Sequence, residues 1–180
     1  MSAANNKFID GSRWTDKSFA TTYTKLGANN KPDFDYTNLG LLFPQNDPSE
    51  IIYIIDQMDH AKQLGTALRL HLHFIQSSAN IPNFVCEYKY YNNGAAVPGS
   101  FTTIQTANGD GPLFTYPGSG SILQLIPFPE IPAPDPENIS ANLEMKIYRN
   151  DNVVTGDVLV KYVDYHYLKD ARGSRMEFVK

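Results

Sequence analysis

Two long runs of period-two alternation near the end of the chain leave little choice but strands there. In Ile139-Ser-Ala-Asn-Leu-Glu-Met-Lys-Ile-Tyr148, Ile139, Ala141, Leu143, Met145 and Ile147 point one way and Ser140, Asn142, Glu144, Lys146 and Tyr148 the other, as in a half-buried strand. Val158-Leu-Val-Lys-Tyr-Val-Asp-Tyr-His-Tyr167 places Val158, Val160 and Tyr162 on one face and Leu159, Val163, Tyr165 and Tyr167 on the other. Apolar side chains leaving in both directions predict a strand covered on both sides, with neighbours beyond what one chain supplies.

Further strands are legible upstream. Glu50-Ile-Ile-Tyr-Ile-Ile55 is apolar on both faces, whereas Ala67 to Ile75 alternates, with Leu68, Leu70, Leu72 and Phe74 opposite Arg69, His71, His73 and Ile75. Phe84 to Tyr91 ends at Asn92-Asn-Gly94, residues that tolerate the positive φ of a tight reversal. Phe101–Thr106, Leu113–Tyr116 and Ser121–Ile126 complete the set. Pro127-Phe-Pro-Glu-Ile-Pro-Ala-Pro-Asp-Pro136 lacks N–H donors at its prolines and is predicted to run as an extended surface loop. Residues 1–35, irregular with scattered aromatics, read as an extended N-terminal arm with short strands, and 36–180 as one β-sandwich domain. The fold class is all-β, an antiparallel two-sheet sandwich of jelly-roll type, with an immunoglobulin-like sandwich as the topological alternative.

Composition narrows the function classes. The formal net charge of −4 removes the electrostatic footprint of a nucleic-acid binder. A single cysteine, Cys86, excludes an intramolecular disulfide and fits a reducing compartment. The start lacks the pattern of a secretory signal and no apolar run reaches membrane-spanning length, so synthesis in a cytoplasm is expected, without a membrane partner.

His71 and His73 share one strand face, and His166 shares a face of the last strand with Asp164. The spacing from Gly65 to His71-x-His73 resembles the first half of the cupin signature. No carboxylate follows in Phe74 to Asn80, however, and Pro117-Gly-Ser-Gly120 leads to no histidine, so no metal site or cofactor is assigned. Gly118-Ser-Gly-Ser121 is not a nucleophile elbow, and Gly109-Asp-Gly111 fails the phosphate-loop patterns. Asp33 with Asp35, Asp56 with Asp59, and Glu130 with Asp135 and Glu137 read as solvated loop charges, and no catalytic residue is assigned. Tyr88, Tyr90, Tyr91, Tyr116, Tyr162, Tyr165 and Tyr167 offer stacking platforms for sugars or contact area between subunits.

Several landmarks occur in order: Trp14-Thr-Asp, Asp35-Tyr-Thr-Asn-Leu-Gly-Leu-Leu-Phe43, Gln57-Met-Asp-His-Ala61, Leu70-His-Leu-His73, Tyr88-Lys-Tyr-Tyr-Asn92, Lys146-Ile-Tyr-Arg149, Thr155-Gly-Asp-Val158, and Asp164-Tyr-His-Tyr167 leading to Gly173-Ser-Arg175. Together they resemble a family of small virion structural proteins of tailed bacteriophages and prophages. That resemblance implies a non-enzymatic particle component (head fibre, decoration, collar or tail attachment) made in the bacterial host cytoplasm. It further implies self-association, expected as a homotrimer, and docking on capsid, neck or tail proteins. The second reading is a receptor- or glycan-binding module on the same virion. A cupin-like metal-dependent enzyme ranks third.

Overall fold

Apart from 3₁₀ positions at Thr21 and Thr106, the regular structure of this computed structural model is all strand among the described residues, which are 13–21, 24–27, 30–78, 80–106, 120–151 and 156–170. In chain order the strands are β1 (Arg13–Ala20), β2 (Lys25–Leu26), β3 (Asp33–Asp35), β4 (Gly40–Phe43), β5 (Ile52–Gln57), β6 (Arg69–Gln76), β7 (Phe84–Tyr91), β8 (Thr102–Gln105), β9 (Gly120–Pro127), β10 (Asn142–Arg149) and β11 (Val158–Lys169). They form two antiparallel sheets. The six-stranded sheet runs β3-β4-β11-β6-β9, with β1 also paired to β11, and the five-stranded sheet runs β2-β5-β10-β7-β8. This is the two-sheet jelly-roll sandwich that the alternating runs predict. The expected strand Leu113–Tyr116, the motif Gly109–Gly111 and residues 1–12 of the arm lie outside the described residues.

Local pattern accounts for most of the smaller sheet. In β10, Leu143, Met145, Ile147 and Arg149 are buried, while Asn142, Glu144, Lys146 and Tyr148 are half-buried on the outside. The alternation predicts a start at Ile139, but Ser140 takes a φ of 58° and the ladder begins only at Asn142. β5 buries Ile52 and Ile54 and leaves Ile55 72% exposed, so one of its two apolar sides remains open within the protomer. Between the sheets, Phe43 of β4 meets Phe84 of β7 edge to face, with ring centroids 5.6 Å apart.

The structure corrects the expectation for β11. Leu159 pairs with Ile75 and Val160 with Phe74, but Tyr162, not Lys161, is the next to pair, with His73. Lys161 is the extra residue of a β-bulge, and it reverses the phase of alternation. Val158 and Val160 before the bulge and Val163, Tyr165 and Tyr167 after it therefore all join one buried core. What looks two-sided in sequence is a single apolar side interrupted once, so this strand does not by itself demand a neighbouring subunit. The Thr21 hydroxyl donates to the Val160 and Lys161 carbonyls at 3.2 and 3.3 Å, satisfying the acceptors that the bulge displaces.

Two other segments pack onto the larger sheet. From Arg13 the expected arm is extended, and what it lies against is its own chain: β1 pairs with β11 from Arg13↔Lys169 to Ala20↔Tyr162. The proline-rich stretch is not a surface loop throughout. Phe128 and Ile131 are buried, and their N–H groups donate to the Leu70 and Leu68 carbonyls at 2.9 Å each. Prolines have no donor, but the residues between them keep theirs, so the stretch straps down onto the start of β6.

Gly40 sits beside the bulge. A Cβ there would stand 2.7 Å from the Val160 carbonyl oxygen and 3.0 Å from Leu159 Cδ1. Gly40→Ala is expected to cost about 1–3 kcal/mol by overpacking. The loss should appear as a lower urea midpoint at unchanged slope; a midpoint equal to that of the parent protein would show that β4 does not need this close approach.

Candidate functional site

Because the bulge turns the C-terminal half of β11, Asp164 and His166 face outward, where β6 presents His71 and His73. Asp164 lies directly opposite His71 in the ladder, and His166 opposite Arg69. On the other edge, β1 sets Ser18 opposite Asp164 and Asp16 opposite His166. Cross-strand pairing thus gathers three histidines and two aspartates, well separated in sequence, onto the outer face of the larger sheet.

Within this patch Asp164 is the hub. Its Oδ1 accepts a hydrogen bond from the Ser18 hydroxyl at 2.7 Å. Its Oδ2 lies 3.1 Å from His73 Nε2 and 3.7 Å from His71 Nε2. Burial opposes ionisation of Asp164, but the hydrogen bonds from His73 and Ser18 outweigh it and hold the carboxyl below its ordinary range. His71, only 6% exposed, is pushed down to about 4 by burial and by its neighbours His166 and His73, and is uncharged at neutral pH. Its ring packs against those of His166 and His73, with centroids 4.7 and 5.0 Å away, and it donates a hydrogen bond to the Arg69 backbone. His166 Nε2 faces Asp16 Oδ1 at 3.1 Å. Toward the rim, the Arg69 guanidinium lies over the Trp14 ring at 4.4 Å and bonds Glu130 at 2.8 Å.

Of these groups, His71, His73 and Asp164 could hold a metal, since their ligand atoms all lie within 4.8 Å of one another. Sequence reasoning finds both histidines but looks for the carboxylate a few residues downstream. Here it comes from the neighbouring strand. The shared outward phase of His71, His73 and Asp164 would have revealed this only with the bulge known.

Other residues singled out in the sequence have structural roles. The hydroxyls of Tyr90, Tyr165 and Tyr167 donate to Glu137, Asp56 and Asp59, respectively. Burial first, and then these carboxylates, raise all three phenols, Tyr167 to about 12. Tyr88 is also buried. These four tyrosines face inward and are not sugar platforms, and Tyr116 lies outside the described residues. Glu137, expected in solvent, is buried and takes both carboxylate oxygens to Lys62 Nζ at 2.9 and 2.8 Å, plus the Gly65 N–H at 2.7 Å. Asp56 accepts from Lys17 Nζ at 2.5 Å. Asp33 and Asp35 are strand residues of β3.

The most exposed aromatic residues among those described, Tyr36 and Tyr162 at 85% and 42%, belong to the larger sheet's side, and the outer face of the smaller sheet carries a row of half-buried ones. Tyr91 and Tyr148 stand near opposite ends of the β7–β10 ladder, and their hydroxyls donate to Glu144 at 2.6 Å and Glu87 at 3.2 Å. Between them Lys146 bonds Glu87 at 3.3 Å and, with Lys89, lies over the Phe101 ring at 3.8 and 4.6 Å. Tyr53 flanks this row, opposite Lys146.

No protein-family model and no curated protein matches the chain. Solved structures do. The CBM36-1 domain of a multidomain xylanase from the hindgut metagenome of Trinervitermes trinervoides is similar with a TM-score of 0.50 at 9% identity, over 84% of this chain and 96% of that one. A carbohydrate-binding module CBM36 in complex with calcium and xylotriose gives 0.46 at 9% identity, over 83% and 98%. The enzymatically active domain of bacteriophage CBA120 tailspike protein 4 gives 0.37 at 9% identity, over 86% and 19%. The first of these likenesses establishes a shared jelly-roll sandwich fold, and the other two are too distant to add to it.

His71 generates a pH prediction. Its folded pKa of about 4 lies below the ordinary 6.5, so as pH falls the unfolded chain takes up this proton first. Stability from this group is complete above about 6.5 and declines between about 6.5 and about 4. The facing groups are His73 on its own strand and Asp164 and His166 on β11; the lowered Asp164 adds its loss only at still lower pH. In chelator-treated protein, urea midpoints across this range should fall less steeply for His71→Gln than for the parent. Equal slopes would count against a buried neutral imidazole.

Proposed function

We propose that this protein is a non-catalytic glycan-recognition module carried on the virion of a tailed bacteriophage. The observation that carries the reading is the outer face of the smaller sheet. Tyr91 pairs with Asn142 and Tyr148 lies six residues further along β10, so their backbone positions are about 20 Å apart along the strands, and each hydroxyl reaches inward along the row, to Glu144 and Glu87. A row of this length, polar between two rings, suits a short oligosaccharide. Each hydroxyl is tied to a carboxylate, which fixes ring orientation before a ligand arrives, and Glu87, Lys89, Glu144 and Lys146 supply donors and acceptors between them. The fold shared with a carbohydrate-binding domain supports the same reading, and the ordered landmarks from Trp14 to Arg175 support the virion context.

A second reading, a structural component that self-associates as a homotrimer and docks on capsid, neck or tail proteins, is favoured by a separate surface. Ile122 and Leu123, 48% and 49% exposed, lie on β9, the last strand of the larger sheet's path, and a strand there invites pairing with another chain.

Glycan-array screening of the purified chain, followed by affinity measurement on the best ligand, distinguishes the two. Tyr91→Ala and Tyr148→Ala should each weaken binding roughly tenfold, about 1.4 kcal/mol, while Ile122→Lys leaves it unchanged. An array without binders, together with light scattering that finds an oligomer dissociated by Ile122→Lys, would replace the first reading with the second.

A further inference from the structure

The hydrogen bonds at Asp164 explain why one histidine is there but not why two are. Oδ2 is satisfied by His73 at 3.1 Å. His71 aims Nε2 at the same oxygen from 3.7 Å, beyond hydrogen-bond range, so it contributes no bond there and its ring is instead held by the Arg69 backbone. Two imidazole nitrogens and a carboxylate oxygen thus gather within 4.8 Å of one another.

We propose that His71 Nε2, His73 Nε2 and Asp164 Oδ2 form a binding site for one divalent transition-metal cation of the zinc type. Ligand bonds of about 2.0–2.1 Å in tetrahedral geometry put ligand atoms about 3.3 Å from one another. The two separations at Asp164, 3.1 and 3.7 Å, bracket that value, and all three ligand atoms lie within 4.8 Å of one another, so side-chain rotations that draw the two imidazoles together seat the ion. Nitrogen makes up most of the donor set, which selects zinc, cobalt or nickel over calcium or magnesium, cations that take oxygen ligands almost throughout. The supporting shell is already built: Ser18 holds the other oxygen of Asp164, and the Arg69 backbone holds the His71 ring with Nε2 toward the site. Three protein ligands leave one position on the solvent side, for a water or a donor atom from a partner. Bound there, the ion ties β6 to β11 and, through Ser18, engages β1. The site is on the opposite sheet from the proposed glycan face and does not depend on that reading.

The test uses the untagged full chain after chelator treatment, titrated with Co²⁺ and followed by visible ligand-field absorption, with Zn²⁺ added in competition. Expected are saturation at about one Co²⁺ per chain with a tetrahedral-type spectrum, displacement by Zn²⁺, and a melting temperature that rises with Zn²⁺. His73→Ala and the isosteric Asp164→Asn should each lose affinity by about tenfold or more. His60→Ala, whose imidazole instead meets the Ser140 hydroxyl at 2.6 Å, should bind as the parent does. Circular dichroism confirms that each variant is folded. Absence of a saturable spectrum up to millimolar Co²⁺, or binding that survives Asp164→Asn and His73→Ala, or that is lost in His60→Ala, would overturn the proposal.

Discussion

One inserted residue sets the phase of the larger sheet. Without Lys161 as a bulge, β11 would send Val158 and Val160 inward and Val163, Tyr165 and Tyr167 outward, and one half of the strand would expose what it now buries. Each buried Val or Tyr contributes on the order of 1.5–3 kcal/mol, so the correct phase decides whether the sheet has a core face at all. The same half-turn puts Asp164 and His166 on the outside, next to the histidines of β6. Core and candidate site are therefore two outcomes of a single backbone irregularity. Thr21 holds its carbonyls, and Gly40 makes room beside it.

Inside the sandwich, charge is admitted only where partners saturate it. Lys62 and Glu137 are buried together, with Thr66, Gly65 and Tyr90 completing their hydrogen bonds. Arg149, fully buried at the end of β10, donates to the Phe43 and Gly156 carbonyls at 2.9 and 2.7 Å and forks onto Asp151 at 2.9 and 3.2 Å. Such groups add little net stability compared with an apolar replacement, but leaving either partner alone would be costly. They fix which strand ends meet. Inward tyrosines follow the same logic, burying a ring while sending the hydroxyl to a carboxylate.

Alternation made β10, β6 and β7 readable because the side-chain period of a strand is two and one face of each lies on the core. It failed at β11, since an inserted residue leaves no mark in a one-dimensional pattern except a double set of apolar positions, which a doubly covered strand would also produce. A run of prolines in sequence argues against pairing, yet Phe128 and Ile131 between them keep their donors. Glu137 looked like a loop charge because Lys62, its partner, lies far away in sequence. For the candidate site the two histidines were legible, being neighbours on one strand. Asp164, Ser18 and Asp16 arrive by strand pairing, and pairing across more than ninety residues is set by the fold rather than by any local spacing.

The position of β11 has a consequence for how the molecule is made. It lies inside the larger sheet, with β6 along one edge and β4 and β1 along the other, yet among the described residues it is the last strand in chain order. The smaller sheet has all its strands once β10 leaves the ribosome. Until residues 158–169 follow, the nascent chain carries β3–β4 and β6–β9 as separate hairpin-like fragments with bare backbone edges. The chain is thus most prone to wrong pairing in the interval between the synthesis of β10 and that of β11, and a product cut short there would keep the smaller sheet without the strand that joins the fragments of the larger one.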